Sequence, residues 1–243
     1  MSYPRELAIV IPCKNEVNYI GALLRTLSNQ TYDLSRAKII IADADSTDGT
    51  RDVILQFKIA HPKIPIDIIP GGLPSVARNR GAAHSNSQYI LFIDADIELS
   101  DKTLIRRALT TMQRDGLHCA TTDIKSRDAG LIAASLYGVS NLAQRLSRLS
   151  KPYSTGMFML FERKEFVRLG GFDEKVKFAE DYHLSMKVKA NKFRVIRGHV
   201  LTSSRRFRRS GYMQMAKLFL TTAINSRRQE HFYDDHNYWQ GQY

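Results

Sequence analysis

Residues 89–96 read YILFIDAD, an apolar run of five residues followed by two aspartates, Asp94 and Asp96. Such a run before a polar turn predicts a strand that is buried on both faces, as in a parallel sheet. Side chains alternate along a strand, so Asp94 and Asp96 are expected to point the same way. Open α/β sheets bind ligands at the carboxyl ends of their strands. We therefore expect two carboxylates at a ligand site, where hard oxygen donors suit a divalent cation that holds a diphosphate.

The composition is that of a soluble globular protein, with 243 residues, of which 43% are hydrophobic and 25% charged. Cys13 and Cys119 form neither a disulfide framework nor a metal-binding spacing, which favours a reducing compartment. No apolar run reaches the roughly 18 residues that span a bilayer, and the chain does not start like a signal peptide. The net charge of +12 indicates attraction to polyanions: nucleic acid, an anionic lipid surface or phosphate-bearing substrates.

Strand and helix signals alternate through the first half of the chain. Strands rich in Ile, Leu and Val are predicted at 7–11, 38–42, 66–69 and 88–93. A helix is predicted after each of them, and Asn15 is the expected N-cap of the first. This alternation predicts an α/β fold with a mostly parallel, doubly wound sheet flanked by helices.

The second half follows a less regular, α+β pattern. A long amphipathic helix is predicted at 131–149, and strands are predicted at 117–121, 157–161 and 193–196. No linker or repeat interrupts the chain, so we predict a single domain over residues 1–243 with a smaller α+β half.

Acidic residues gather at the ends of the predicted elements. Asp43 ends the second strand, Asp94 and Asp96 end the fourth, and Glu180 and Asp181 open a late helix. Because the carboxyl ends of parallel strands meet at one edge of a sheet, these acids are expected to converge on one rim.

The order of these motifs resembles the family 2 glycosyltransferases, inverting enzymes with the GT-A fold that use a nucleotide-activated sugar as donor. Residues 11–16, IPCKNE, are similar to the first-strand signature of that family, whose proline and glutamate lie beside the donor nucleotide. The matching residues are Pro12 and Glu16. Helix capping explains the Asn-Glu pair equally well. The resemblance covers residues 7 to about 207.

Two further positions match nucleotide contacts of the family. Asp43, followed by STDGT at 46–50, resembles the aspartate that contacts the base. The chain has Asp45 in a DADS order where a second aspartate and a glycine are usual, so Asp45 is interpreted as a turn acid. Residues 72–81, GLPSVARNRG, resemble the segment whose arginine reaches the nucleotide, and Arg78 is the matching residue. A surface arginine on a helix is the alternative.

Residues 94–96, DAD, match the Asp-x-Asp element of the family. The resemblance implies that Asp96 binds a metal bridging the diphosphate, that Asp94 contacts ribose or the metal shell, and that Ala95 lies at the donor. The implied cofactor is Mg²⁺ or Mn²⁺, which neutralises charge as the nucleoside diphosphate leaves. An isolated Asp-x-Asp in a solvated loop is the alternative. Glu98 either adds a ligand or belongs to a helix-capping turn.

Glu180-Asp181, preceded by GGFDE at 170–174, resembles the acceptor-side segment in which the aspartate is the general base. A carboxylate there takes the proton of the acceptor hydroxyl during in-line attack on the anomeric carbon, and a single displacement inverts that carbon. The alternative is that both acids only stabilise the positive end of a helix.

The resemblance also implies a division of labour within the single GT-A domain. Residues 1–115 would form the nucleotide-sugar-binding half, 116–209 the acceptor and catalytic half, and 210–243 a C-terminal helix and polar tail. The implied partners are a nucleoside diphosphate sugar and a glycan or lipid-linked acceptor. We expect no nucleic acid partner and a cytoplasmic location, with peripheral contact at the inner face of an anionic membrane left open.

Three remaining features have open interpretations. The basic run RRFRR at 205–209 could close over donor phosphates, grip a lipid phosphate, lie on an anionic membrane or simply face solvent. Arg145 and Arg148 beside leucines in helix 131–149 suit interfacial contact, although core packing of those leucines is the interpretation we prefer. His199 lies close to where some relatives have a metal-binding histidine, but its surroundings match that pattern poorly, and a partly buried or surface imidazole is the interpretation we prefer.

Two other function classes compete with glycosyl transfer. A nucleotidyltransferase acting on sugar phosphates would place a Gly-rich loop after the first strand, where this chain has CKNE at 13–16. A non-catalytic basic module that binds polyanions would explain the net charge. It would not explain carboxylates at strand ends, which repel phosphate unless a cation intervenes.

Overall fold

A seven-stranded sheet forms the centre of the fold in the computed structural model, which describes residues 5–128, 130–205, 208, 211–225, 228–234 and 236. The strands are β1 Leu7–Cys13, β2 Ala37–Asp43, β3 Ile66–Pro70, β4 Tyr89–Phe92, β5 Cys119–Ser126, β6 Met159–Glu162 and β7 Phe193–Thr202. Their order across the sheet is β3-β2-β1-β4-β6-β5-β7. β6 is antiparallel to β4 and β5, and the other neighbouring strands are parallel. The predicted mostly parallel α/β sheet is therefore confirmed.

Helices connect the strands. They are α1 Ile20–Ser28, α2 Thr50–Ala60, α3 Pro74–Ala83, α4 Leu104–Asp115, α5 Leu131–Ser147, α6 Arg163–Arg168, α7 Glu180–Ser185, α8 Tyr212–Ile224 and α9 Gln229–Tyr233. Among the described residues, no helix combines the length and the apolar character needed to cross a membrane.

The central strands are buried on both faces, as their unbroken apolar sequence predicts. Along β1, Leu7, Ile9 and Ile11 pack into one hydrophobic cluster with residues of α1, α2 and α4. Ala8 and Val10 point the other way, into a second cluster with residues of α3 and α6. The alternation of β1 side chains thus places helices on both faces, and the sheet is doubly wound.

Helix α3 lies directly on β1 because Gly81 has no side chain. A Cβ atom at Gly81 would overlap the side chain of Val10, which is fully buried between sheet and helix. This close approach matters for the rim of the sheet, since α3 also carries Arg78.

We expect Gly81→Ala to lower the free energy of unfolding by about 1–3 kcal/mol, because the added methyl group must push α3 away from β1. Urea unfolding at neutral pH measures the effect. Gly138→Ala in α5 is the matched control, because a Cβ there meets nothing within 4 Å. The control is expected to be neutral or stabilising by up to about 1 kcal/mol. Equal stability of both variants and the parent would contradict the overlap.

Strand β5 is longer than predicted and starts later. It covers Cys119–Ser126 instead of 117–121. The extension at its carboxyl end arises because the strand continues beside β7 beyond a register shift between Thr122 and Asp123. β7 is correspondingly longer than predicted.

Helix α5 turns polar side chains toward the sheet. Asn141 pairs with the backbone of Ile124, accepting from its N–H at 2.9 Å and donating Nδ2 to its carbonyl oxygen at 2.8 Å. Gln144 Nε2 donates to another carbonyl oxygen of β5 at 2.9 Å. These bonds satisfy strand groups beside the register shift and set the rotation of the helix. The prediction that the leucines of this segment pack in the core is therefore wrong, because Leu142, Leu146 and Leu149 face solvent.

Candidate active site

The loops after β1 and β2 are joined at the carboxyl edge of the sheet. Asp43, the last residue of β2, is buried and accepts a hydrogen bond from Ser46 Oγ at 2.5 Å. Arg51 Nη1 lies 3.7 Å from the Asp43 carboxylate. Asp48 accepts from the backbone N–H of Val17 at 3.1 Å, which ties the second loop to the first. Asp43 thus lies on the rim where the strand pattern predicted it.

Asn15 joins these loops and does not cap a helix. Its side chain accepts from the N–H of Thr47 at 2.9 Å, and its own N–H donates to Ser46 Oγ at 2.9 Å. Its φ of 52° is a left-handed conformation that asparagine tolerates well. Helix α1 begins only at Ile20, with Tyr19 as its N-cap, so the predicted Asn15 cap is wrong.

Pro12 and Ala95 lie at the same edge. Pro12 is half-buried near the end of β1, after Val10, the last residue of β1 that pairs with β4. The missing N–H of Pro12 therefore removes no bond from that ladder. Ala95 is buried between the two aspartates that follow β4.

The acids after β4 keep the predicted alternation. Asp94, Asp96 and Glu98 are partly exposed, whereas Ala95 and Ile97 are buried. The alternation persists although β4 ends at Phe92 and the chain turns just beyond it. The carboxylates of Asp94 and Asp96 consequently lie on the open side of the rim.

Arg78 lies between two carboxylates, those of Asp94 and Glu180. Its side chain is 3% exposed, Nη2 donates to Asp94 Oδ1 at 2.6 Å, and Nη1 donates to Glu180 Oε1. The guanidinium also lies over the ring of Phe172, 5.4 Å from its centroid. Burial opposes the charged form, but the Asp94 and Glu180 charges outweigh it and raise the pKa of Arg78. A solvent-facing arginine, the alternative from sequence, is therefore wrong.

A second arginine contacts the remaining acids of the rim. Arg205 donates two hydrogen bonds to the Glu16 carboxylate, one of them from Nη1 at 2.8 Å. Its Nη2 lies 3.4 Å from Asp96 Oδ2, and its guanidinium lies 4.5 Å from the ring centroid of Tyr19. Burial raises the pKa of Glu16, Arg205 opposes that rise, and the charges of Asp96 and Asp94 add to it. The first strand, the Asp-x-Asp element and the basic run thus meet at one place.

The rest of the basic run divides in two. Arg208 pairs with Asp128 at 2.7 Å, and Asp128 also accepts from the backbone N–H of Ser204, the residue before Arg205. Arg206, Phe207 and Arg209 lie outside the described residues.

Asp181 is held by two backbone donors. The N–H of Gly156 donates to its Oδ2 at 2.5 Å, and the N–H of Tyr182 donates to its Oδ1 at 2.7 Å. Burial and the charge of Glu180 raise the pKa of Asp181, Arg78 and the two backbone donors oppose the rise, and the result is a pKa of about 6. A carboxylate with such a pKa is ionised at neutral pH and is more basic than an ordinary aspartate, as a general base requires.

Three other acids and bases lie outside this arrangement. Glu98 pairs with Arg127. His199 lies on β7 opposite Asp123, and burial lowers its pKa. Asp45 has a φ of 55° in the turn after β2, as a turn acid would.

Asp94 and Asp96 are the rim acids whose chemistry suits a divalent cation. Within the part of the chain that the structure describes, no three His, Cys, Asp or Glu side chains form a metal-binding group. Mg²⁺ and Mn²⁺ commonly take only one or two protein carboxylates and complete their shell with water and phosphate oxygens. The side chains of Asp94 and Asp96 are 25% and 14% exposed and offer hard oxygens, so the pair fits such an ion.

Sequence reasoning missed the structural roles of Glu180 and Arg205. The sequence places Glu180 at a helix start on the rim but does not indicate that it is the buried partner of Arg78. Arg205 was one member of a basic run, yet it pairs with Glu16, which is 189 residues away. Nothing in the local sequence signals either pairing.

Comparison with known families finds one match. The family described as Glycosyl transferase family 2 matches residues 8–169, which is more than half of the chain and includes Asp43, Arg78, Asp94 and Asp96.

Curated relatives are similar over about three quarters of this chain. The Succinoglycan biosynthesis protein ExoA of Rhizobium meliloti is 28% identical over 196 residues, which are 77% of this chain and 59% of that protein. Glycosyltransferase AglE of Haloferax volcanii is 27% identical over 180 residues, which are 73% of this chain and 59% of that protein. The chain therefore spans about three fifths of the length of these relatives.

Solved structures share the fold. The mannosyltransferase PcManGT of Pyrobaculum calidifontis, in complex with GDP-Man and Mn²⁺, has a TM-score of 0.69 at 20% identity, covering 90% of this chain and 65% of that one. TarS of S. aureus, residues 1–349, has a TM-score of 0.63 at 18% identity, covering 83% of this chain and 61% of that one.

Proposed function

The chain belongs to glycosyltransferase family 2 and has the GT-A fold, and on that premise we propose that it moves a sugar from a nucleoside diphosphate sugar to an acceptor hydroxyl or phosphate. The observation that carries the proposal is the position of Arg78. It binds Asp94 of the Asp-x-Asp element and Glu180, the neighbour of the candidate base Asp181. Donor-side and acceptor-side carboxylates thus lie around one guanidinium, as a transfer between two substrates requires.

The donor is proposed to bind along the rim formed by Pro12, Glu16, Asp43, Arg78 and the 94–96 segment. Asp43 would contact the base, and the arginines would contact phosphate oxygens, to which a guanidinium can donate two hydrogen bonds. The solved structures support a nucleotide sugar as donor, because PcManGT is in complex with GDP-Man and TarS with UDP-GlcNAc.

A divalent cation, Mg²⁺ or Mn²⁺, is proposed as the cofactor, held by Asp96 and Asp94. When bound, it would supply positive charge to the diphosphate as that group leaves. The Mn²⁺ in the PcManGT complex supports this proposal. Arg205 lies 3.4 Å from Asp96 Oδ2, so the same place also offers a guanidinium for the donor phosphates.

Asp181 is proposed as the general base. It accepts the proton of the acceptor hydroxyl while the acceptor oxygen bonds to the anomeric carbon and the bond from that carbon to the diphosphate breaks. A single displacement inverts the configuration. Its pKa of about 6 supports this role, because the carboxylate is ionised at neutral pH and still takes up a proton readily.

The remaining assignments follow from the same proposal. Residues 1–115 hold the donor, residues 116–209 hold the acceptor and the base, and residues 210–243 form the C-terminal segment. The acceptor is a glycan or a lipid-linked molecule, and the protein works in the cytoplasm on glycan or glycolipid synthesis. The name of the relative ExoA, a succinoglycan biosynthesis protein, is consistent with polysaccharide synthesis as the setting.

Asp96→Ala is expected to abolish the rise in melting temperature that Mn²⁺ adds to nucleoside diphosphate binding. Ligand binding stabilises the folded state, so a variant that cannot bind Mn²⁺ should not show the Mn²⁺-dependent rise in melting temperature. Thermal unfolding with GDP and UDP, each with and without Mn²⁺, measures this. Asp33→Ala is the control, because Asp33 is exposed beside the amino end of β2, at the edge of the sheet opposite the rim. A full Mn²⁺-dependent shift in Asp96→Ala would overturn the metal assignment. No nucleotide shift in the parent would overturn the proposed donor class.

A further inference from the structure

Helix α5 exposes a continuous row of apolar side chains. Its inward side is occupied by residues such as Asn141 and Gln144, whose amides bond to the backbone of β5. The apolar residues on its outward side recur at spacings of three, four and seven, so they form one stripe along the helix. Each of them is more than half exposed; they are Ile132, Val139, Leu142 and Leu146 on the helix and Leu149 just past its end.

Cations lie beside the carboxyl end of this stripe. Arg145 and Arg148 line a cleft of about 260 Å³ together with Leu146, Leu149 and Val195 of the edge strand β7. Arg145 is already paired with Asp123 of β5, to which it donates two hydrogen bonds, at 3.1 and 2.5 Å. The cleft thus places the Arg148 guanidinium beside aliphatic walls, which is the chemistry that receives an anionic headgroup and the chain below it.

A second helix adds to the exposed apolar surface. Helix α8 packs against α5 and exposes Met213, Leu220 and Ile224, which recur at spacings of seven and four residues. Large exposed apolar patches are uncommon on a monomer and mark interaction surfaces.

We propose that the outer surface of α5, defined by its apolar stripe and by Arg148 and Lys151, docks this protein on an anionic lipid bilayer. Lys151 is exposed just beyond the helix. The leucines enter the acyl boundary, and the cations contact lipid phosphates, a combination typical of interfacial helices. The net charge of +12 adds a general attraction to the anionic surface.

The docking surface is connected to the acceptor side of the proposed active site. Ser140 Oγ of α5 lies 3.1 Å from Tyr153 Oη, and the ring of Tyr153 packs against that of Tyr182 at 5.4 Å. Tyr182 follows the candidate base Asp181. A bilayer bound by α5 would therefore lie on the side from which a lipid-linked acceptor arrives. This consequence rests on the proposed function, whereas the docking itself does not.

Vesicle flotation without any nucleotide sugar tests the docking, so the result does not depend on glycosyl transfer. The parent is expected to float with vesicles containing about a third phosphatidylglycerol, and much less with pure phosphatidylcholine. Leu142→Gln/Leu146→Gln/Leu149→Gln and, separately, Arg148→Gln/Lys151→Gln should each reduce the bound fraction by about tenfold or more. The control Leu55→Gln/Ile59→Gln, which removes exposed apolar residues of α2, should bind like the parent.

A labelled variant gives a second readout that does not need the triple substitution to fold. Leu146→Cys with a polarity-sensitive fluorophore should shift to the blue on anionic vesicles, whereas Ile59→Cys should not. Cys13 and Cys119 are both buried, so labelling is directed to the new thiol. The proposal is overturned if the parent fails to float, if the leucine variant that remains folded binds like the parent, or if the leucine variant converts a dimeric parent into a monomer.

Discussion

Asp181→Asn is expected to reduce the turnover of sugar transfer by about 10²–10⁴-fold and to leave donor affinity within about twofold of the parent. The amide keeps the shape of the carboxylate and still accepts from one of the two backbone donors, Gly156 and Tyr182. It has no oxygen that can take a proton from the acceptor. Steady-state transfer and calorimetric donor binding separate these two effects.

The matched control is Asp33→Asn, an exposed carboxylate beside the amino end of β2 and therefore at the opposite edge of the sheet. It should transfer at the rate of the parent. Full transfer by Asp181→Asn would show that another group takes the proton, whereas loss of donor binding in the same variant would indicate a misfolded site.

The pH profile provides an independent readout for Asp181. Burial raises the pKa of its carboxyl to about 6, so the base is increasingly protonated and inactive as the pH falls below that value. Turnover of the parent should therefore rise with pH and level off above about 6. The residual activity of Asp181→Asn should not fall in this way at low pH. If the residue had only a structural role, the variant would keep the pH dependence of the parent.

The local sequence predicted the placement of Asp43, Asp94 and Asp96 on one rim well, because these acids follow strands with clear patterns. The run before Asp94 and Asp96 is apolar and buried, and the burial alternation continues through the turn. Asp43 ends its own strand, and parallel pairing brings it opposite Cys13 of β1. Placing these residues on one rim requires only strand periodicity and the geometry of a parallel sheet.

Contacts between distant segments could not be predicted in this way. Glu180 pairs with Arg78 over 102 residues, and Arg205 pairs with Glu16 over 189. Local periodicity carries no information on which charges meet in three dimensions. The orientation of helix α5 was predicted wrongly for a related reason. Asn141 bonds to the backbone of β5 beside its register shift, and these bonds turn the leucines toward solvent, although leucines usually pack in the core.

Arg78→Met is expected to lower the free energy of unfolding by about 3–5 kcal/mol, the largest stability effect that the site offers. Arg78 is almost completely buried, and Glu180, with a side chain 8% exposed, would keep its charge without a partner. Asp94 is better placed to regain water, because its side chain is 25% exposed. Urea unfolding at neutral pH measures the loss.

The double variant Arg78→Met/Glu180→Gln distinguishes an unpaired buried charge from lost packing. Removing both partners of a buried ion pair is far less harmful than removing one, so the double variant should recover at least about half of the loss. Arg114→Met is the control, because its ion pair with Asp115 is at the surface and its removal should not measurably change unfolding. A double variant as unstable as Arg78→Met would mean that the arginine stabilises the fold through its contact with Phe172, not through the charge of Glu180.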